Sequence, residues 1–76
     1  MENNTKLMNQ AFSRMKALAQ EQFMYYYQQY QEIQCIENRT IMQERESTII
    51  EGKFLAFDEM YAHLKRMQDL MQSENR

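Results

Sequence analysis

The stretch that decides the fold is Met8–Ile33, MNQAFSRMKALAQEQFMYYYQQYQEI. Within it Met8, Phe12, Met15, Ala19, Phe23, Tyr26, Tyr30 and Ile33 recur at steps of three and four. That spacing keeps them on one side of a 3.6-residue helix. Ala11 and Leu18 widen the stripe on one flank. Asn4 or Thr5 can cap its beginning. The pattern predicts a helix from about residue 5 to about residue 37, roughly 50 Å long at 1.5 Å per residue.

Downstream the grammar repeats. Ile50, Phe54, Phe57, Tyr61, Leu64 and Met71 form a second stripe, thickened by Met60, Met67 and Leu70. It predicts a helix from about residue 48 to about residue 73, with Lys65 and Arg66 toward the end where cations suit the helix dipole. Between the helices, Glu37–Thr48 holds only Ile41 and Met42 as apolar residues. Two capping boxes can be written in this turn region of about 38–48: Thr40-Ile41-Met42-Gln43 and Thr48-Ile49-Ile50-Glu51. Asn38 suits the left-handed conformation that ends many helices. The spacing favours a turn at 38–40, with one near 47 as the alternative. Successive steps of four and a mixed Met, Phe, Tyr and Ala stripe suit a short bundle more than a strict two-stranded coiled-coil seam.

Composition supports the same class. The chain has 76 residues, one Gly and no Pro, which removes the punctuation that hairpins of strands and βα loops require. The expected fold is all-α: a single domain, residues 1–76, built as a long antiparallel helical hairpin that assembles as a dimeric four-helix bundle. Assembly is expected because a domain this small buries only roughly 60–65% of the surface its unfolded chain exposes. The run Phe23-Met24-Tyr25-Tyr26-Tyr27 points the same way. Successive residues step by about 100°, so five apolar or aromatic residues in a row encircle the helix and ask for contact on more than one side. Residues 17–36 carry only Glu21 and Glu32 as charges, and loss of charge with gain of Tyr and Met is the composition of an interface core.

Charge and chemistry narrow the function. Nine bases against eleven acids give a net charge of −2, and the bases are scattered, so the basic face of a nucleic-acid binder is missing. No run approaches the ~20 apolar residues that span a bilayer. The polar face of the first helix is Gln and Asn rather than Lys and Arg, which argues against a membrane-surface helix. The single Cys35 cannot form an internal disulfide. The opening Met1-Glu2-Asn3-Asn4-Thr5-Lys6 is polar, unlike a secretory signal, and the expected location is cytoplasmic.

Catalytic, cofactor-binding and metal-binding residues are not expected. Glu59 and His63 share a helix face at i, i+4, but zinc needs three or four ligands. Cys35 and His63 fall on opposite arms, some 30 Å apart by helical rise, which rules out a Cys-His dyad. One Gly cannot build a phosphate loop. What remains is a small non-enzymatic protein-binding module, in kind an adaptor, a chaperone-like protein or an inhibitor. It would act through aromatic and Met-rich helix faces on a second copy, a heterologous protein, or both, with no small-molecule substrate. The candidate protein-binding residues are Phe23, Met24, Tyr25, Tyr26, Tyr27 and Tyr30 on the first arm, and Phe54, Phe57 and Tyr61 on the second. Met24, Tyr25 and Tyr27 are expected to face outward, because they lie off the stripe. The alternatives are a purely structural homo-oligomeric bundle and a small DNA-associated regulatory protein.

Overall fold

The chain reverses once, over residues 35–40, and is helical on both sides of that reversal. The computed structural model describes residues 2–74 and contains α1 (Glu2–Gln34) and α2 (Ile41–Glu74), packed antiparallel in a rod 58 Å long and about 15 Å thick. The protein is an all-α helical hairpin. No helix is long and apolar enough to cross a membrane among the described residues.

The reversal shows why α1 stops at Gln34 and not near residue 37. The Cys35 amide still donates to the Gln31 carbonyl (3.1 Å), and the Ile36 amide tightens onto Ile33 (3.0 Å). Arg39 then takes over the open end of the helix. Its guanidinium Nη1 donates to the carbonyls of Gln34 (3.1 Å) and Ile36 (3.4 Å), while its Nε pairs with the Glu44 carboxylate. A side-chain cation thus satisfies carbonyls that a left-handed residue commonly serves. No described residue has a positive φ, so Asn38 does not adopt the left-handed conformation expected of it.

α2 begins at Ile41 rather than near residue 48, and its start is the first of the two capping boxes. The Thr40 amide donates to Gln43 Oε1 (2.9 Å) and the Gln43 amide donates to Thr40 Oγ1 (3.1 Å). At the second box the helix runs straight through. Thr48 Oγ1 instead donates back to the Glu44 carbonyl (3.1 Å) in the preceding turn. The earlier start sets Gln43, Ser47 and Ile50 against the last turns of α1 and lengthens the packed seam. Thr40→Ala is therefore expected to lower hairpin stability by about 1 kcal/mol. Thr48→Ala, which removes only a back-bond, should change it by less than about 0.5 kcal/mol. Urea midpoints of the two variants decide which threonine caps the helix.

The seam itself follows a stricter rule than the sequence pattern suggested. In α1 the inward residues are Thr5, Asn9, Phe12, Lys16, Ala19, Phe23, Tyr26, Tyr30 and Ile33; in α2 they are Gln43, Ser47, Ile50, Phe54, Phe57, Tyr61, Leu64, Gln68 and Met71. Both sets alternate steps of four and three without interruption, the spacing of a coiled coil. Met8 and Met15, which the hydropathy pattern assigns to the stripe, are exposed, and their neighbours Asn9 and Lys16 point inward instead.

Aromatic rings fill the middle of the seam. Phe54 meets the rings of Phe23, Tyr27 and Tyr30 edge-on, with centroids 5.7, 5.4 and 5.2 Å away. One turn along, Tyr26 lies parallel to Phe57 at 6.0 Å. Polar pairs close both ends. Gln34 Nε2 donates to the buried Ser47 hydroxyl (2.8 Å) near the turn, and Gln68 Nε2 reaches the Asn9 carbonyl (3.5 Å) near the open end. Gly52 lies on the outer side of α2, and a Cβ there would meet nothing within 4 Å. Gly52→Ala should raise stability by about 1 kcal/mol through helix propensity alone, read as a higher thermal midpoint with unchanged helicity at 20 °C.

Candidate protein-binding face

With one strip of each helix committed to the seam, two flanks remain, separated on the outside by Leu7, Arg14, Glu21 and Gln28 of α1 and by Arg45, Gly52, Glu59 and Arg66 of α2. On the first flank α1 carries Met8, Ala11, Met15, Leu18, Gln22, Tyr25, Gln29 and Glu32. Beside them α2 carries Met42, Glu46, Ile49, Lys53, Ala56, Met60, His63, Met67 and Leu70. On the second flank Lys6, Gln10, Ser13, Ala17, Gln20, Met24, Tyr27 and Gln31 lie beside Glu44, Thr48, Glu51, Leu55, Asp58, Ala62, Lys65 and Asp69. The first flank is apolar and the second is polar.

The apolar flank is indented along the line between the helices. Met15, Leu18, Gln22 and Met60 rim a shallow groove floored by Ala19, Phe57 and Leu64. Toward the turn the indentation continues between Gln29 and Met42, Glu46, Ile49 and Lys53. There the Lys53 ammonium rests 5.2 Å from the centre of the Tyr26 ring, within cation–π reach. Charge divides this face into halves. From Met8 to Leu18 on α1 and from Met60 to Leu70 on α2, no residue of the flank is Asp, Glu, Lys or Arg; Glu32, Glu46 and Lys53 all sit toward the turn. Leu18, Met60, Met67 and Leu70 are each about half or more exposed.

The nine candidate residues divide between the interior and the surface. Phe23, Tyr26, Tyr30, Phe54, Phe57 and Tyr61 lie in the seam, where they hold the two arms of this chain together. Met24 and Tyr25 are 56% exposed and Tyr27 is 36% exposed. Tyr25 projects onto the apolar flank; Met24 and Tyr27 belong to the polar one. The residues that pattern reasoning missed as surface are Met8, Met15, Met60, Met67 and Leu70. The signal was present: choosing Asn9 and Lys16 over Met8 and Met15 turns irregular steps into strict heptads. Met8, Ala11, Met15 and Leu18 then stand apart as a second apolar line.

No group of three His, Cys, Asp or Glu that could hold a metal ion occurs among the described residues. Cys35 and His63 are both exposed and lie on separate elements, the connection and α2. What this geometry offers a ligand is apolar area on a rigid two-helix surface. No protein-family model, curated protein or solved structure matches this chain.

Proposed function

We propose that this chain is a small non-enzymatic protein-binding module whose hairpin forms half of a dimeric four-helix bundle. The observation that carries the reading is the apolar flank, uncharged over its open-end half and spanning both helices. Soluble monomers rarely leave so much contiguous apolar surface in water, and a chain this short gains stability by covering it. Helix-face recognition of this kind relies on side chains three and four residues apart, the steps at which Met8, Ala11, Met15 and Leu18 recur.

Self-association does not consume every exposed apolar side chain. Met24, Tyr27 and Leu55 remain on the opposite flank, which favours an adaptor, chaperone-like or inhibitor role over a purely structural bundle. A free thiol at Cys35 fits a reducing, cytoplasmic setting.

Sedimentation equilibrium of the reduced chain, with far-ultraviolet circular dichroism over the same dilution series, tests the reading. A helical dimer that loses helix as it dissociates is the expected result. A monomer that stays fully helical at micromolar concentration overturns the bundle.

A further inference from the structure

We infer that the polar flank carries a binding site for a quaternary ammonium group, such as a choline head or a trimethylated lysine, in a cleft midway along the hairpin. The site lies on the side opposite the apolar flank and does not depend on the proposed dimer. Gln20, Phe23 and Met24 of α1 face Phe57, Asp58 and Tyr61 of α2 across a cleft of about 190 Å³. That is room for one compact head group and too little for a drug-sized molecule, whose pockets run to about 300–1,000 Å³.

Three aromatic rings and one carboxylate meet there. The rings are half-buried seam residues held in place by their neighbours. Phe23 stacks on Tyr27 at 5.6 Å, with Phe54 edge-on to both, and Phe57 stacks on Tyr26 at 6.0 Å. Phe23 and Phe57 each keep a second face on which no other ring of the described residues stacks. Aromatic faces are electron-rich and attract a cation set on them. Asp58 stands on the exposed rim without an ion pair among the described residues, and no Lys or Arg lines the cleft. Glu51 adds a second carboxylate two turns before Asp58 on the same flank.

The opposite flank shows what a ring of this seam does with an ammonium. There Lys53 rests 5.2 Å from the centre of the Tyr26 ring. At Phe23 the chain supplies rings and a carboxylate but no cation of its own. The chemistry of the lining favours a quaternary cation over a primary one. A primary ammonium brings three N–H donors that burial must satisfy, and only Asp58 and Gln20 offer side-chain oxygens here. Methyl groups replace those donors with apolar surface that the rings and the Met24 thioether can cover.

Choline and dimethylbutanol, its neutral carbon analogue, titrated against the isotope-labelled chain by nuclear magnetic resonance, test the site. Choline is expected to shift the Phe23, Phe57 and Tyr61 ring signals with a Kd on the order of 1 mM. The neutral analogue, which has the shape without the charge, should bind at least about fivefold more weakly. Equal affinity for the two, or no saturating shift by about 50 mM choline, overturns the site. Asp58→Asn, at an exposed position, should weaken choline about threefold. Tyr61→Leu, which keeps the seam apolar, should weaken it about fivefold, with helicity unchanged in both variants. Undiminished binding in both also overturns the assignment. A trimethyllysine peptide then identifies the carrier of the group. Binding about tenfold or more tighter than choline assigns it to a modified protein, and binding no tighter assigns it to a small molecule or lipid head; either outcome supports the ammonium site.

Discussion

Phe54→Ala is expected to leave the hairpin without a cooperative unfolding transition at 25 °C. Phe54 is among the few buried apolar side chains, and three aromatic rings of α1 converge on it within 6 Å. Truncating a buried Phe costs about 3–5 kcal/mol, and the edge-on contacts are part of that loss. A chain of this length holds only about 4–11 kcal/mol in total, so one substitution removes a large share of it. Tyr25→Ala is the control. Its ring is half exposed and touches Tyr26 within its own helix, and its loss should cost the hairpin less than about 1 kcal/mol. Urea titration followed at 222 nm separates the two, and equal effects would show that the seam is not centred on Phe54.

The second large effect runs in the stabilising direction. Asn9 and Gln68 occupy inward positions near the open end, yet the contact between them is long (3.5 Å), and the buried Asn9 Oδ1 has no hydrogen-bond partner. An orphaned buried acceptor costs about 1–3 kcal/mol. Replacing both partners with apolar groups of similar size removes that cost and adds burial. Asn9→Leu combined with Gln68→Leu should therefore raise stability by about 2–3 kcal/mol, seen as a higher urea midpoint. In the dimer proposed above, the double variant should also populate more than one assembly in sedimentation, because polar residues at inward positions hold register and partner number. A lower midpoint would mean that the amide pair contributes more than its geometry indicates.

Much of this architecture can be read from the residues. Helical spacing is legible at Phe12, Phe23 and Tyr30 because each outranks its neighbours in hydropathy, whereas Ala19 beside Leu18 and Tyr26 between Tyr25 and Tyr27 are placed by the spacing alone. The capping box at Thr40 was visible as well, though propensity could not rank it against the one at Thr48. Packing decides between them, since a start at Ile41 adds Gln43 and Ser47 to the seam. The N-terminal third of α1 misleads for a different reason. Hydropathy prefers Met8 to Asn9 and Met15 to Lys16, but register propagates from the aromatic centre and places the less apolar residue of each pair inward. Lys16 tolerates this because its methylene stem can line the seam while its ammonium reaches water. Arg39 left no trace in the pattern. Its grip on the Gln34 carbonyl depends on the path of the connection, which only the folded chain defines.

The two polar pairs also bracket the order in which the hairpin closes. Gln34 and Ser47 are 13 residues apart in the chain, Asn9 and Gln68 are 59 apart. Loop-closure entropy penalises the longer span by about 1.3 kcal/mol relative to the shorter, so the arms zip from the turn toward the free ends. Unzipping runs the other way. The open end of the seam, around Asn9 and Gln68, parts first, and the segments that open earliest are those bearing the uncharged methionine and leucine face. Amide exchange in the hairpin should accordingly be fastest outward of Phe12 and Leu64 and slowest around Ile50 and Phe54. A second copy seated on that face would act as a clasp on the end of the zipper that entropy works hardest to open.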